Sequence, residues 1–251
     1  MLLRAHAHND YEHPRPLLDA LDCGFGSVEA DIWLNPDGPL LVGHTRASLA
    51  PNRTLRSLYL EPLRRVCRAR NGRVYSHRIP LTLMIDIKTA ASPTIEALRA
   101  ELAAFSDLLF VWGESGNRRP VRVIVSGNRS EPDICRAPRW MAMDGRPNDL
   151  DGKSSPADIP WISDSWSAHF KWNGEGAMPP AELEKLSDMA ARVHAQRRQL
   201  RFWGYPDTET VWQTLWDAGV DYINTDRLAE CAAWMRRQSM KVGLRQEAAV
   251  D

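Results

Sequence analysis

Apolar and polar positions along this chain repeat with two periods, and segments of one period alternate with segments of the other. Residues 2–8 (LLRAHAH) read as a strand, and residues 15–23 as a short helix with Gly24 and Gly26 as stop signals. The stretch FGSVEADIWL (25–34) has period two, placing Val28, Ala30 and Ile32 on one side and Glu29, Asp31 and Trp33 on the other. NPDG (35–38) is a turn and PLLVGH (39–44) a further strand, while 45–79, rich in arginine and leucine, reads as loop plus one helix. LTLMIDI (81–87), VRVIVSG (121–127), RWMAMD (139–144), PWIS (160–163), LRFWG (200–204) and VDYINT (220–225) supply the remaining strands. Helices are predicted from Ser92-Pro93 to about residue 106, over 180–198, over 207–218 ending at Gly219, and over 227–238.

Close to eight strands alternating with helices predicts an α/β protein with a parallel sheet and helices outside. Eight such units favour a (β/α)8 TIM barrel, with room for irregularity, over a doubly wound open sheet. No GxGxxG or P-loop pattern supports a nucleotide-binding version of the open sheet. The 251 residues fit a single barrel domain over 1–240 with a frayed tail over 241–251.

Composition excludes function classes more than it selects one. The 32 basic and 32 acidic residues balance, with no basic half or lysine-rich block, which argues against a nucleic-acid partner. Cys23, Cys67, Cys135 and Cys231 lie far apart and form no CxxC pair, so neither a zinc site nor a disulfide framework is expected. No apolar run reaches the roughly 18 residues of a membrane span, and polar residues from His6 onward break any signal-peptide pattern. The chain reads as soluble, either cytoplasmic or the mature part of an exported protein. Ten tryptophans, several in expected loops, leave room for peripheral contact with a membrane or with the apolar part of a ligand. No pattern bears on oligomeric state.

Candidate chemistry collects where strands end. His6, His8 and Asn9 close the first strand, Glu29 and Asp31 share one side of the second, His44 ends the third, and Asp86 and Lys88 end the next. In a barrel these strand ends converge on one face, where active sites lie. Three converging carboxylates, Glu29, Asp31 and Asp86, would repel one another, and a hard divalent cation resolves the conflict. All-oxygen donors suit Mg²⁺ or Ca²⁺ rather than zinc. Two histidines beside such a cation are natural acid and base, and Lys88 suits an anionic phosphate. His6, one layer deeper, is expected to support His8. His13, His77, His169 and His194 read as ordinary structural or surface residues.

The ordered set HND, SVEADIWL, LLVGH, MIDIK and GVDYINTD, spanning His8 to Asp226, resembles the phospholipase C-like phosphodiesterase superfamily. That group includes glycerophosphodiester phosphodiesterases, phosphatidylinositol phospholipase C and sphingomyelinase D enzymes. The HNDY opening with RFWGYPD (201–207) is most similar to the branch related to altered inheritance of mitochondria protein 6. The resemblance implies that His8 and His44 form the catalytic pair, that Glu29, Asp31 and Asp86 hold one divalent cation, and that Lys88 assists catalysis. It also implies a small-molecule or lipid phosphodiester substrate. Two positions depart from the glycerophosphodiesterase pattern: His8-Asn9-Asp10 stands where H-R-G is usual, and Asp86 where Glu is usual. Arg146 is the candidate replacement for the absent phosphate-binding arginine, and Asn9, Asn128, Trp203 and Asn224 are further candidates for substrate contact. Two other readings fit the residues: a non-catalytic barrel binding an anionic ligand, and a zinc amidohydrolase using His6 and His8 as an H-x-H metal pair.

Overall fold

The computed structural model describes the backbone of residues 1–247 and the side chains of residues 1–239. In chain order its elements are β1 (Leu2–Ala7), α1 (Leu18–Cys23), β2 (Phe25–Trp33), β3 (Leu41–Val42), α2 (Glu61–Ala69), β4 (Leu81–Ile87), α3 (Ala91–Ala103) and β5 (Val121–Gly127). They continue with α4 (Glu131–Ile134), β6 (Met141–Gly145), β7 (Trp161–Ser165), α5 (Pro180–Ala195), β8 (Gln199–Trp203), α6 (Glu209–Asp217), β9 (Ile223–Thr225) and α7 (Leu228–Glu247). Residues 248–251 of the expected tail lie outside the described residues.

Eight strands lie in the order β8-β7-β6-β5-β4-β2-β1-β9, and their neighbours pair in parallel. A parallel bridge between Arg201 and Tyr222 joins the two ends, so the sheet curls into an irregular, nearly closed TIM barrel. The predicted strand over 39–44 shrinks to the two residues of β3, which pair antiparallel with the end of β2. A parallel neighbour needs a long crossover, and a four-residue turn permits only an antiparallel return. Helix α1 starts at Leu18, later than the pattern suggests, because Leu17 sits at φ 65° and cannot join a helix.

One side of each strand faces the helices. Val28, Ala30 and Ile32 of β2, with Leu83, Ile85 and Ile87 of β4, belong to that outer core. The opposite positions fill the barrel in two levels. The lower level is apolar: Met84, Ile124, Ala142, Trp161 and Tyr222 pack with Trp112. The upper level is polar, with His6, Glu29, Asp31, Ser126, Asp144, Ser163, Arg201 and Asn224 all buried. Register stacks the two levels. Glu29 of β2 pairs with Met84 of β4, and Asp31 with Asp86 one step higher. The apolar level keeps water from beneath the charges, which strengthens their interactions.

The seam between β8 and β9 carries only that single bridge, and side chains fasten the rest of it. The Tyr205 hydroxyl donates to Asn224 O (2.8 Å) and accepts from Asn224 N (2.5 Å). Asp207 Oδ2 accepts from Thr225 Oγ1 (2.8 Å) and Asp226 N (3.0 Å). Two residues of the RFWGYPD segment therefore close the barrel.

Candidate active site

The barrel places Glu29, Asp31 and Asp86 together, one carboxylate oxygen from each lying within 4.8 Å of the others. Asp31 Oδ2 is crowded: it accepts from Tyr11 Oη (2.7 Å), Lys88 Nζ (3.0 Å) and His44 Nδ1 (3.3 Å). Its other oxygen, Oδ1, is buried without a hydrogen-bond partner, an arrangement that normally costs more than 1 kcal/mol. Lys88 Nζ also reaches Asp86 Oδ1 at 2.9 Å. Gly127, at φ 71°, lets the chain pass close against that carboxylate, because a Cβ there would lie 2.5 Å from Asp86 Oδ1. An orphaned carboxylate oxygen among three convergent carboxylates fits a divalent cation with oxygen ligands.

Electrostatics point the same way. Burial and the Glu29 charge push the Asp31 carboxyl up to about 6, against the pull of Lys88. Burial raises Asp86 as well, with Lys88 opposing. Burial alone pushes the Lys88 ammonium down, but the charges of Asp86 and Asp31 outweigh it and raise its pKa. Glu29 behaves differently. Burial pushes it up, yet the Arg201 guanidinium and the His6 hydrogen bond hold it well below the usual carboxylate range. Arg201 Nη2 and His6 Nε2 each lie 3.0 Å from Glu29 Oε2.

The histidines anchor through one nitrogen each. His8 Nδ1 lies 2.9 Å from Asp226 Oδ1 and 3.0 Å from Asn9 Nδ2. Burial pushes the His8 imidazole down, but the Asp226 bond and the Glu29 charge prevail and raise it. His44 Nδ1 meets Asp31 and the Tyr11 hydroxyl (3.2 Å), with 56% of its side chain exposed. Both rings thus face the mouth with Nε2. The short β2–β3 hairpin delivers His44, since Gly43 N donates to Asp31 O at 3.2 Å. His6 differs. Its Nδ1 meets Ser27 Oγ at 2.8 Å and its Nε2 meets Glu29, so neither nitrogen remains for a metal. Burial and the Arg201 charge push it down to about 4, leaving it neutral.

Tyr11 and Arg201 stand in the HNDY and RFWGYPD segments but are not among the expected site residues, yet both organise the site. Asn9 takes a left-handed backbone conformation, φ 47°, which turns the chain across the mouth and returns Tyr11 to Asn9 Oδ1 at 2.7 Å. The hydroxyl proton is shared between that oxygen and Asp31 Oδ2. Arg201 Nε donates to Asn224 Oδ1 at 2.7 Å, so the Asn224 carboxamide is committed inside the barrel. Asn128 is exposed and donates to Thr89 O at 3.0 Å. Arg146 extends over the Trp203 ring, 4.8 Å from its centroid, and pairs with the buried Asp144 carboxylate at 3.1 Å. His169 and His194 pair with Asp164 and Asp221, away from these groups. A cavity of about 310 Å³ adjoins His44, lined by Tyr11, Glu12, Gly43, His44, Ser48 and Arg53.

Known proteins resemble this chain in sequence and in fold. The profile described as AIM6-like phosphodiesterase domain matches residues 1–137, and that of the glycerophosphoryl diester phosphodiesterase family matches residues 199–229. Altered inheritance of mitochondria protein 6 from Eremothecium gossypii is 32% identical over 265 residues, covering 91% of this chain and 68% of that protein. The homolog from Arthroderma benhamiae is 29% identical, covering 88% and 80%. Among solved structures, a glycerophosphodiester phosphodiesterase from Parabacteroides distasonis superposes with a TM-score of 0.57 at 16% identity, covering 94% of this chain and 98% of that one. A phosphodiesterase from Oleispira antarctica, in complex with its product sn-glycerol-3-phosphate, gives 0.56 at 13% identity, covering 92% and 95%. At such identities the structural likeness speaks for the barrel alone.

Proposed function

The chain belongs to the family of AIM6-like phosphodiesterase domains, and from that premise we propose a cation-dependent phosphoric diester hydrolase acting on a glycerophosphodiester or phospholipid-type substrate. One observation carries the reading: three carboxylates converge around an orphaned Asp31 oxygen while two imidazoles, each anchored at Nδ1, flank them. Glu29, Asp31 and Asp86 would hold Mg²⁺ or Ca²⁺. When bound, that ion supplies positive charge against the phosphate oxygens. Lys88, fixed between Asp31 and Asp86, adds a second cation where charge develops. One Nε2 takes the proton of the attacking oxygen and the other gives a proton to the leaving oxygen. Asp226 orients His8, while Asp31 and Tyr11 orient His44. Where the substrate has a hydroxyl beside the phosphate, that hydroxyl is the nearest nucleophile, and a cyclic phosphate forms first. Trp203 would contact the substrate, and Asn9, whose carboxamide already meets His8 and Tyr11, would do so only alongside those bonds. The zinc reading is disfavoured, because both nitrogens of His6 are engaged.

Phosphorus NMR tests this reading with glycerophosphocholine, glycerophosphoinositol, lysophosphatidylcholine and phosphatidylinositol, in Mg²⁺ or Ca²⁺ and then with chelator. The expected result is chelator-sensitive loss of at least one diester signal, the product shift distinguishing monoester from cyclic phosphate. Intact diesters throughout, with either ion, would overturn it.

A further inference from the structure

We propose that Arg129, Arg146 and Trp203 form a second anion subsite at the barrel mouth, which takes a phosphomonoester carried on the substrate's head group. This rests on the phosphodiesterase reading and names a substrate class for the same site. Arg129 follows β5 and Arg146 follows β6, adjacent strands with Val125 and Met143 in register. Both guanidinium groups therefore rise from neighbouring loops at the carboxyl end of the barrel.

Neither guanidinium is satisfied by the protein. Arg129 Nη1 donates to Gly127 O at 3.2 Å, and its Nε is buried with no hydrogen-bond partner. Among the described residues no carboxylate oxygen lies within 4.0 Å of Arg129. The Arg146 guanidinium makes its hydrogen bonds through Nη1 alone, to Asp144 Oδ2 (3.1 Å), Asp144 O (3.3 Å) and Gly145 O (2.9 Å), while its backbone N donates to Asp149 Oδ2 (2.6 Å). Asp144 is itself occupied by Ser126 (2.8 Å) and Ser163 (2.5 Å). The Arg146 guanidinium carbon lies 4.8 Å from the Trp203 ring centroid, and among the described residues its Nε and Nη2 make no hydrogen bond. A flat guanidinium held against an indole offers its edge to a planar array of anionic oxygens. Two guanidinium groups on adjacent loops, with only the already committed Asp144 carboxylate paired to one of them, suit a dianion.

The scissile phosphate has its own cradle at β2 and β4. Strand β6 lies two strands from β4, about 9–10 Å at ordinary spacing. Arg129 follows β5, one strand from β4, and Arg146 follows β6, so the pair meets a group on the order of 5–10 Å, about one six-membered ring, from the scissile phosphorus. A phosphorylated cyclitol or sugar head group has that spacing.

Calorimetric titration of the Mg²⁺-loaded protein with inositol 1-phosphate and inositol 1,4-bisphosphate tests the subsite. The bisphosphate is expected to bind about tenfold or more tightly. In the Arg129→Gln/Arg146→Gln variant the ratio should fall to about one, and Arg146→Lys, which keeps a cation beside Asp144, should lose only part of it. Thermal unfolding checks that each variant is folded. Should the double variant fail to fold, Arg129→Gln alone carries the comparison, since that side chain makes one backbone bond. Equal affinities in the wild type, or a ratio that survives in the folded variant, would overturn the proposal. Cleavage of glycerophosphoinositol 4-phosphate, or of phosphatidylinositol 4-phosphate vesicles, in preference to the unphosphorylated counterpart supports it and separates a soluble from a lipid source. Diester cleavage without any such preference overturns this proposal alone, whereas neither cleavage nor binding overturns the underlying reading with it.

Discussion

On the β1–β2–β4 side of the mouth, Glu29, Asp31 and Asp86 crowd together and are only partly balanced by Lys88. Across the barrel, on the β5–β6–β8 side, Arg129, Arg146 and Arg201 share few carboxylates, chiefly Asp144 and Glu29. The first side pushes its own carboxyls up, Asp31 to about 6. On the second, burial and the neighbouring Arg146 charge push the Arg129 guanidinium down. Each side is electrostatically incomplete in the opposite sense, and only Arg201 spans them directly, through Glu29. A binding site for a cation and an anion together has this pattern. A barrel stabilised for its own sake would pair the two sides with each other, since lone buried charges are costly.

The comparison can be broken most severely at His44. His44→Ala should lower turnover about 10²–10⁴-fold while calorimetric binding of Mg²⁺ or Ca²⁺ persists. Lost ion binding in that variant would place the residue among the ligands instead. The bridge between the sides comes next. Arg201→Ala leaves Glu29 buried with only neutral His6, and urea unfolding should register a loss of about 3–5 kcal/mol. Asp10 then supplies a carboxyl that no cation faces: it accepts from Leu17 N (2.6 Å) and Tyr59 Oη (2.9 Å), and burial raises it from 3.8 to about 7. The folded state therefore holds an extra proton between those values, so this group's contribution to stability is fully present below pH 3.8 and is lost as pH rises through about 7. The fall between pH 5 and pH 7 should be on the order of 2 kcal/mol, and unfolding of Asp10→Asn should show a flatter profile. The smallest change is Tyr11→Phe. It removes one hydroxyl from Asp31 and His44 and should cost about 1 kcal/mol of stability, with kcat falling more than KM rises. Unchanged kcat would show that Asp31 alone holds the imidazole.

The acidic side was largely legible in the sequence. Charged residues are scarce inside strands, so Glu29 and Asp31 within VEADI and Asp86 within MIDIK stand out against their apolar neighbours. The structure brings these three together with His8, His44 and Lys88. The basic side was legible only at Arg146, marked by its place after the RWMAMD strand. Arg201 meets Glu29 across 172 residues of chain, and only its period-two relation to Trp203 marks it as facing inward. Tyr11 was obscured because a left-handed Asn9, not a strand or helix period, decides where its hydroxyl goes. Arg129 reads as an ordinary loop residue until Gly127 is seen to abut Asp86. The short β3 shows the same limit: an apolar run says strand, while the length of the preceding turn decides direction.

The β8–β9 seam has a consequence for timing. Its two edges are fastened by Tyr205 and Asp207 acting on Asn224, Thr225 and Asp226. Asp226 in turn orients His8, 218 residues earlier. The barrel is latched rather than zipped, and the latch is synthesised well after β2 and β4. Until it arrives, the carboxylates of β2 and β4 can already be neighbours, but His8 has no partner to fix its ring. Synthesis would therefore assemble the carboxylate cluster before it fixes the His8 ring.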